Sequence, residues 1–154
     1  MTEPVTVSFV DVEATFLREL VEQYLELVTA GAADDPAVAR LTPAAYRDDD
    51  DASAEFAALT RDDLLGGRAT EAERVLADLI AARSVDAAAE ADVIVRIAPD
   101  SQTAWMRTLN GLRLVLAARI GIVDDGDDAS DDARYGAYEW LGYRLELLVQ
   151  SISG

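Results

Sequence analysis

Hydrophobic residues recur along most of this chain with the 3.6-residue period of an α-helix. The clearest example runs from Thr103 to Val123. Its apolar residues fall on a single stripe: Trp105, Leu109, Leu112, Leu116, Ile120 and Val123. The polar side of the same segment carries Arg107 and Asn110. This pattern predicts a central amphipathic helix with a wide buried face.

The same period predicts further helices over residues 12–29, 34–41, 52–59, 60–84 and 133–152. Asp11 precedes the first of these helices and is expected to cap it. The run from Thr60 to Asp63 resembles a capping box, so we expect a new helix to begin at Thr60. The helix from Thr60, the central helix and the last helix are expected to form the core.

Two short segments show the alternation of a β-strand instead. Val5, Val7 and Phe9 alternate with polar residues, and a second alternating segment spans residues 91–97. We expect the two segments to pair, although a two-stranded ribbon needs helices behind it to be stable. The predicted fold is therefore one mainly α domain over residues 1–154, a bundle of about five helices with a small two-stranded β ribbon.

The chain lacks three residue types that carry much protein chemistry. It has no cysteine and no histidine, and all 13 of its cationic side chains are arginines. This excludes thiolate chemistry, a histidine base, lysine Schiff bases and the lysine of a phosphate-binding loop. Because no nucleophile–base set and no cofactor loop are visible, we expect no catalytic residue and no cofactor.

Two aspartate-rich runs, residues 48–51 and 124–132, raise the question of calcium binding. An EF-hand loop needs oxygen ligands at positions 1, 3 and 5 and glycine at position 6. If Gly126 is position 6, positions 1 and 3 are Gly121 and Val123, which offer no side-chain oxygen. We therefore interpret both runs as solvated loops and expect no metal site.

The net charge of −17 restricts the class of partner. So acidic a chain repels the nucleic-acid backbone and an anionic membrane surface, and its arginines are spread along the sequence. No apolar run approaches the ~20 residues needed to span a bilayer, and the first residues do not resemble a signal peptide. We expect a cytoplasmic protein that binds neither membranes nor nucleic acid directly.

Arg113 and Arg119 interrupt the central helix close to its apolar stripe rather than opposite it. A guanidinium near a buried face stays charged and needs a partner, which is usually a carboxylate. Both residues are candidates for a structural ion pair with another helix or an aspartate run. The alternative is an anion site for a phosphate or a partner's carboxylate.

The last predicted helix is apolar on two sides. One seam contains Tyr138, Leu141, Leu145, Leu148 and Ile152. The second seam contains Trp140, Tyr143 and Leu147. These three residues belong either to the core or to an interface with a protein partner or a second copy of the chain.

Three segments resemble a known family. They are DDPAVARLTPAAYRDDDDASAEF (34–56), AWMRTLNGLRLVLAARIGI (104–122) and YEWLGYRLELLV (138–149). They are similar to the uncharacterised actinobacterial family known as domain of unknown function 2017. The resemblance implies a small helical cytoplasmic protein. It also implies an accessory or regulatory role, because members are typically encoded beside ClpS, the adaptor of the Clp protease. It supplies no catalytic residue.

Three hypotheses about function follow. The first is a non-enzymatic interaction or regulatory protein, which the resemblance links to the Clp proteolysis neighbourhood. The second is a transcription or stress-response regulator that acts through a protein partner. The third is an enzyme that uses arginine and carboxylate groups.

Overall fold

A computed structural model describes residues 3–42, 54–84, 92–121 and 133–153. Its elements follow in the order β1 (Val5–Val10), α1 (Asp11–Ala30), α2 (Pro36–Leu41), α3 (Ala54–Ala81), β2 (Arg83–Ser84), β3 (Asp92–Ile97), a 3₁₀ turn (Pro99–Ser101), α4 (Gln102–Ile120) and α5 (Ala133–Ser153). The predicted mainly α class, with five helices and a small antiparallel ribbon, is confirmed.

The ribbon joins the two segments that alternation predicts. β1 and β3 are antiparallel, with Val5 opposite Ile97 and Phe9 opposite Val93. The inward positions Val5, Phe9, Val95 and Ile97 are buried, as the period of two requires. The two residues of β2 extend the sheet on the other side of β3.

Helix α1 begins one residue earlier than the sequence suggests. Val10 occupies the N-cap position, and its N–H donates to Glu13 Oε1 at 3.1 Å. Asp11, the predicted cap, is the first helical residue, so that assignment was wrong. The helix ends at Ala30, one residue beyond the predicted end, where Gly31 adopts a left-handed conformation with φ of 59° that glycine tolerates best.

Helix α3 is continuous, which corrects the predicted start at Thr60. A capping box at Thr60 would form only if a helix began there. Thr60 instead lies inside α3, between the good helix formers Leu59 and Arg61. The helix also ends at Ala81 rather than Ser84, because Arg83 and Ser84 pair with β3. Residues 52 and 53 of the predicted short helix lie outside the described residues.

Helix α4 lies at the centre of the molecule. It packs against α2, α3 and α5, and α1 packs against α3. Its buried side contributes Trp105, Leu109, Leu112 and Leu116 to the core. The helix ends at Ile120, where Gly121 turns the chain with φ of 81°; the remaining predicted positions, 122 and 123, lie outside the described residues.

Helices α1 and α5 meet at the N-terminal half of α1. α1 packs on α3, α3 on α4 and α4 on α5. The side-chain contacts between α1 and α5 involve Glu13 and Phe16 of α1 with Trp140 and Arg144 of α5. In the described ranges no helix combines the length and apolar character needed to cross a membrane.

Candidate functional site

Trp140 joins α5 to α1 and β1. Its indole Nε1–H donates to Glu13 Oε2 at 2.9 Å. Its ring centroid lies 6.3 Å from that of Phe9 and 5.9 Å from that of Phe16, in tilted arrangements typical of aromatic pairs. The side chain is half-buried, so one part of the indole is fixed while another faces solvent.

Arg144 completes this junction. It donates to Glu13 Oε1 at 3.0 Å and to the Ser8 carbonyl at 3.1 Å, and its guanidinium lies 4.5 Å from the centre of the Phe9 ring. Desolvation alone would raise the pKa of Glu13. The hydrogen bonds from Val10, Trp140 and Arg144 outweigh it and lower that pKa below its usual value. The carboxylate therefore stays charged and holds β1, α1 and α5 together.

Beside this junction lies a group of solvent-exposed apolar side chains. Tyr143 is 61% exposed and Val12 is 73% exposed, and Phe16 and Leu147 are also exposed. Trp140, Tyr143 and Leu147 share one side of α5 through their i, i+3 and i+7 spacing. We call Val12, Phe16, Trp140, Tyr143 and Leu147 the apolar surface.

The structure thus places the three predicted α5 residues on one side and adds two α1 residues that sequence reasoning missed. The helical period of the sequence places Phe16 on the same apolar face of α1 as Leu17 and Leu20. It falls at the edge of the buried face of α1, because the centre of that face lies nearer to Leu17, Val21 and Tyr24. Its aromatic side chain was the one feature that could have suggested a role at a surface, but nothing in the sequence indicated contact with Trp140.

A groove of about 320 Å³ lies between α1, α4 and the start of α5. Leu20, one helical turn beyond Phe16, lies in its wall. Its lining residues come from α1, α4 and the start of α5: Leu20, Gln23, Tyr24, Leu27, Leu112, Val115, Leu116, Arg119 and Arg134. We call it the α1–α4 groove. No described residue that lines it carries a carboxylate, which sets it apart in a chain with 30 acidic residues.

Arg119 lies in the lining of this groove and forms a two-pronged ion pair. Its two terminal nitrogens donate to the two carboxylate oxygens of Asp35 at 2.7 and 2.8 Å. Asp35 also caps α2 by accepting from Ala37 N at 2.9 Å. Hydrogen bonds from Arg119 lower the pKa of Asp35. The Arg119 side chain is 37% exposed, so the pair lies at the surface rather than in the core.

Arg113 occupies a different side of α4. Its guanidinium lies 4.4 Å from the centre of the Tyr138 ring, a cation–π geometry. It also packs so closely on α5 that a Cβ at Gly142 would lie 3.0 Å from Arg113 Nε. That Nε is buried and has no hydrogen-bond partner among the described residues. The two predicted arginines are therefore not brought together into one site.

A polar contact that the sequence did not indicate links α1, α2 and α3. Arg68 donates to the Tyr24 hydroxyl at 3.2 Å and to the Leu41 carbonyl at 3.3 Å. Burial raises the pKa of Tyr24, although the Arg68 charge opposes that shift. Gly111 of α4 leaves the space that the Tyr24 hydroxyl occupies.

Arg68 also lines a shallow polar groove of about 390 Å³ between α3 and α4. Arg107, Asn110 and Glu71 form other parts of its wall, and Arg107 donates to Glu71 Oε2 at 3.2 Å. The groove mixes both signs of charge, so it favours neither an anion nor a cation.

Metal-binding clusters are not found in the described part of the chain. No three acidic side chains there converge in a way that could hold a metal ion. Both aspartate-rich runs, residues 48–51 and 124–132, lie outside the described residues, so the prediction of solvated loops stays a prediction.

The fold and these surfaces define a mainly α domain with an exposed apolar surface at the junction of α1 and α5. The chain belongs to the family Domain of unknown function (DUF2017), whose model matches residues 2–152. This confirms the resemblance seen in the sequence. Neither a curated protein nor a solved structure matches the chain.

Proposed function

We propose that this protein is a non-enzymatic interaction protein that binds a partner protein through its apolar surface. The observation that carries the proposal is the exposure of Tyr143, at 61%, one turn from the anchored ring of Trp140, and of Val12, at 73%, one turn from Phe16, which contacts that ring. Burying exposed apolar area releases about 25 cal/mol per Å². Clustered apolar residues on a surface are typical of sites where partners dock.

Trp140 is suited to be the anchor of such an interface. Tryptophan and tyrosine are enriched among the residues that dominate binding energy. Glu13 and Arg144 hold the Trp140 ring through a hydrogen bond and a neighbouring charge, so little side-chain freedom remains to be lost on binding. A preorganised anchor binds more tightly than a mobile one.

Charge favours a different protein over a second copy as the partner. The apolar surface is bordered by the exposed residues Glu19 of α1 and Glu139 and Glu146 of α5. Two copies would bring two chains of charge −17 together. Because complementary potentials speed and orient association, we infer a partner that carries basic residues around its apolar contacts.

The resemblance supplies the first partner to test. Because members of the family are typically encoded beside ClpS, we propose a regulatory role in Clp-dependent proteolysis and take ClpS as the first candidate. A regulator of transcription or of the stress response would use the same surface with a different partner. The identity of the bound protein distinguishes these two roles.

The proposal is tested by comparing two variants in capture and direct binding. One carries Tyr143→Ser and Leu147→Ser on the apolar surface. The other carries Val149→Ser, which changes a residue of similar exposure, 41%, on the opposite side of α5. Bound proteins from lysate are identified by mass spectrometry, and the dissociation constant of each purified candidate, including ClpS, is measured by calorimetry.

We expect the double variant to weaken partner binding at least tenfold and Val149→Ser to leave it unchanged. Circular dichroism should show that both variants fold, because the three side chains are exposed. Equal binding by the double variant and the control would refute the proposal. If the wild-type protein has the solution mass of a dimer and the double variant has that of a monomer, the partner is a second copy of the chain instead of a different protein.

A further inference from the structure

The outer side of α5 carries an apolar strip and an acidic strip, and Tyr143 lies between them. At about 100° per residue, Trp140 and Leu147 lie roughly 40–60° to one side of Tyr143, and Glu139 and Glu146 lie roughly 40–60° to the other. Tyr143 is 61% exposed, and both glutamates are exposed as well. Along α5, the apolar surface therefore ends at a row of carboxylates.

These carboxylates have no positive partner within the described part of the chain. Neither Glu139 nor Glu146 forms an ion pair or a side-chain hydrogen bond there. Arg144, which lies between them in the sequence, is directed elsewhere, because it donates to Glu13 and to the Ser8 carbonyl. The charge of the acidic strip is thus available to a ligand.

Tyr143 offers a free ring face beside these carboxylates. Two other rings of the protein are covered by a guanidinium: Arg113 lies 4.4 Å from the centre of the Tyr138 ring, and Arg144 lies 4.5 Å from that of Phe9. Among the described residues, no cation and no aromatic ring makes such a contact with Tyr143. The ring is therefore open to a cation from another molecule.

The spacing along α5 suits a single cation that contacts the ring and both carboxylates. At a rise of about 1.5 Å per residue, Glu139 lies about 6 Å before Tyr143 along the helix axis and Glu146 about 4.5 Å after it. Flexible glutamate side chains cover these distances. A planar guanidinium can stack flat on the ring while its edges donate to carboxylates, whereas an ammonium is a compact charge without that geometry.

We propose that the partner contacts this edge of the apolar surface with an arginine whose guanidinium stacks on Tyr143 and pairs with Glu139 and Glu146. Apolar side chains of the same partner segment cover Trp140 and Leu147. This inference rests on the proposed function and adds the residue type that recognises one edge of the surface. Charge complementarity together with the free ring selects arginine over an apolar or acidic residue at this position.

The test uses three synthetic helical peptides of four turns, about 14 residues, as probes. Leucines recur at helical spacing on one face of each peptide, and one position beside that face is arginine, lysine or citrulline. Citrulline keeps the planar shape of arginine but lacks its charge. Calorimetry gives the dissociation constant of each peptide, and shifts of protein amide NMR signals locate the bound peptide.

We expect the arginine peptide to bind about fivefold more tightly than the citrulline peptide and about twofold more tightly than the lysine peptide. Glu139→Gln with Glu146→Gln should remove the preference for arginine over citrulline. Tyr143→Leu keeps an apolar side chain but removes the ring, so it should abolish the preference for arginine over lysine. The matched control, Glu26→Gln with Glu73→Gln, removes two charges from exposed positions on α1 and α3 and should change neither preference.

Equal affinity for the arginine and citrulline peptides would overturn the inference, and so would equal effects of the two double glutamate variants. Amide shifts centred away from α5, or failure of all three peptides to bind, would overturn it as well. None of these results decides the proposed function, which depends on the capture and calorimetry of natural partners with the Tyr143 and Leu147 variant. The two ideas therefore fail separately.

Discussion

Gly111→Ala is the substitution whose effect the structure specifies most closely. At this position α4 approaches α1 so closely that a methyl group would overlap the hydroxyl oxygen of Tyr24. It would also lie 2.8 Å from Tyr24 Cζ and 3.0 Å from an Arg68 terminal nitrogen. Tyr24 is only 2% exposed, so its ring can move aside only by displacing other core side chains.

The expected change in stability is the balance of three effects. Alanine in place of glycine favours the helical state by about 1 kcal/mol. Overpacking a well-packed core costs about 1–3 kcal/mol, and losing the charged hydrogen bond from Arg68 to Tyr24 costs about 1.5 kcal/mol. The net loss is therefore about 2 kcal/mol. For a chain of this size it lowers Tm by roughly 4–8 °C.

Urea unfolding followed by circular dichroism measures this loss, with Gly66→Ala and Gly67→Ala as matched controls. A methyl group at either control position meets open space within α3, so each should stabilise the protein by up to about 1 kcal/mol. Adding Tyr24→Phe to the Gly111→Ala variant removes the overlapping oxygen and should recover part of the loss. A Gly111→Ala variant at least as stable as wild type would refute the close approach of α1 and α4.

Three further predictions concern polar contacts. Asp78→Ala leaves the buried indole N–H of Trp105 without its acceptor at 2.8 Å and should cost about 1–3 kcal/mol in urea unfolding; a loss below about 0.5 kcal/mol would contradict this. Asp35→Asn keeps the cap of α2 but breaks the partly exposed pair with Arg119, so it should cost under about 1 kcal/mol. Asp35→Ala also loses the cap and should cost about 1 kcal/mol more; equal losses would show that the cap contributes nothing. The pKa values of Asp35 and Glu13 are lower in the folded state than in the unfolded state. The stability that these two carboxylates contribute should therefore be complete above the unfolded-state pKa of about 4 and should be lost as the pH drops further. An Asp35→Asn, Glu13→Gln variant should show a shallower fall in Tm over this range, and an unchanged slope would count against both contacts.

Much of the fold could be predicted because it follows from local periodicity. The alternation of apolar residues in β1 and β3 indicates which face of each strand is buried. In the same way, the stripe containing Trp105 and Leu116 indicates the buried face of α4. The predicted break at Thr60 failed for a local reason as well. A capping motif is a weak signal, and the surrounding residues favour helix strongly enough to continue through it.

The contacts that define the candidate site could not be read in this way. Glu13 and Arg144 are 131 residues apart, and Tyr24 and Arg68 are 44 apart. Periodicity assigns each residue to a face but does not say which faces meet. The interruption of the α4 stripe by Arg113 and Arg119 did indicate that both needed partners. It did not indicate that Arg113 packs on a tyrosine ring and that Arg119 pairs with the aspartate that caps α2.

The junction of α1 and α5 also depends on contacts between residues far apart in the sequence, and it bears on why α5 is apolar on two sides. Leu141 and Leu148 satisfy the packing of α5 on α4, so they account for only one of its seams. If the second seam existed only to complete the monomer, Tyr143 and Leu147 would be covered by α1. They are exposed instead, because Trp140 and Arg144 fill the junction with Phe16 and Glu13. Exposed apolar area of this kind lowers solubility unless something covers it. A selective pressure for solubility alone would replace these residues with polar ones at little cost in stability, so their presence favours a bound partner as the reason they are there.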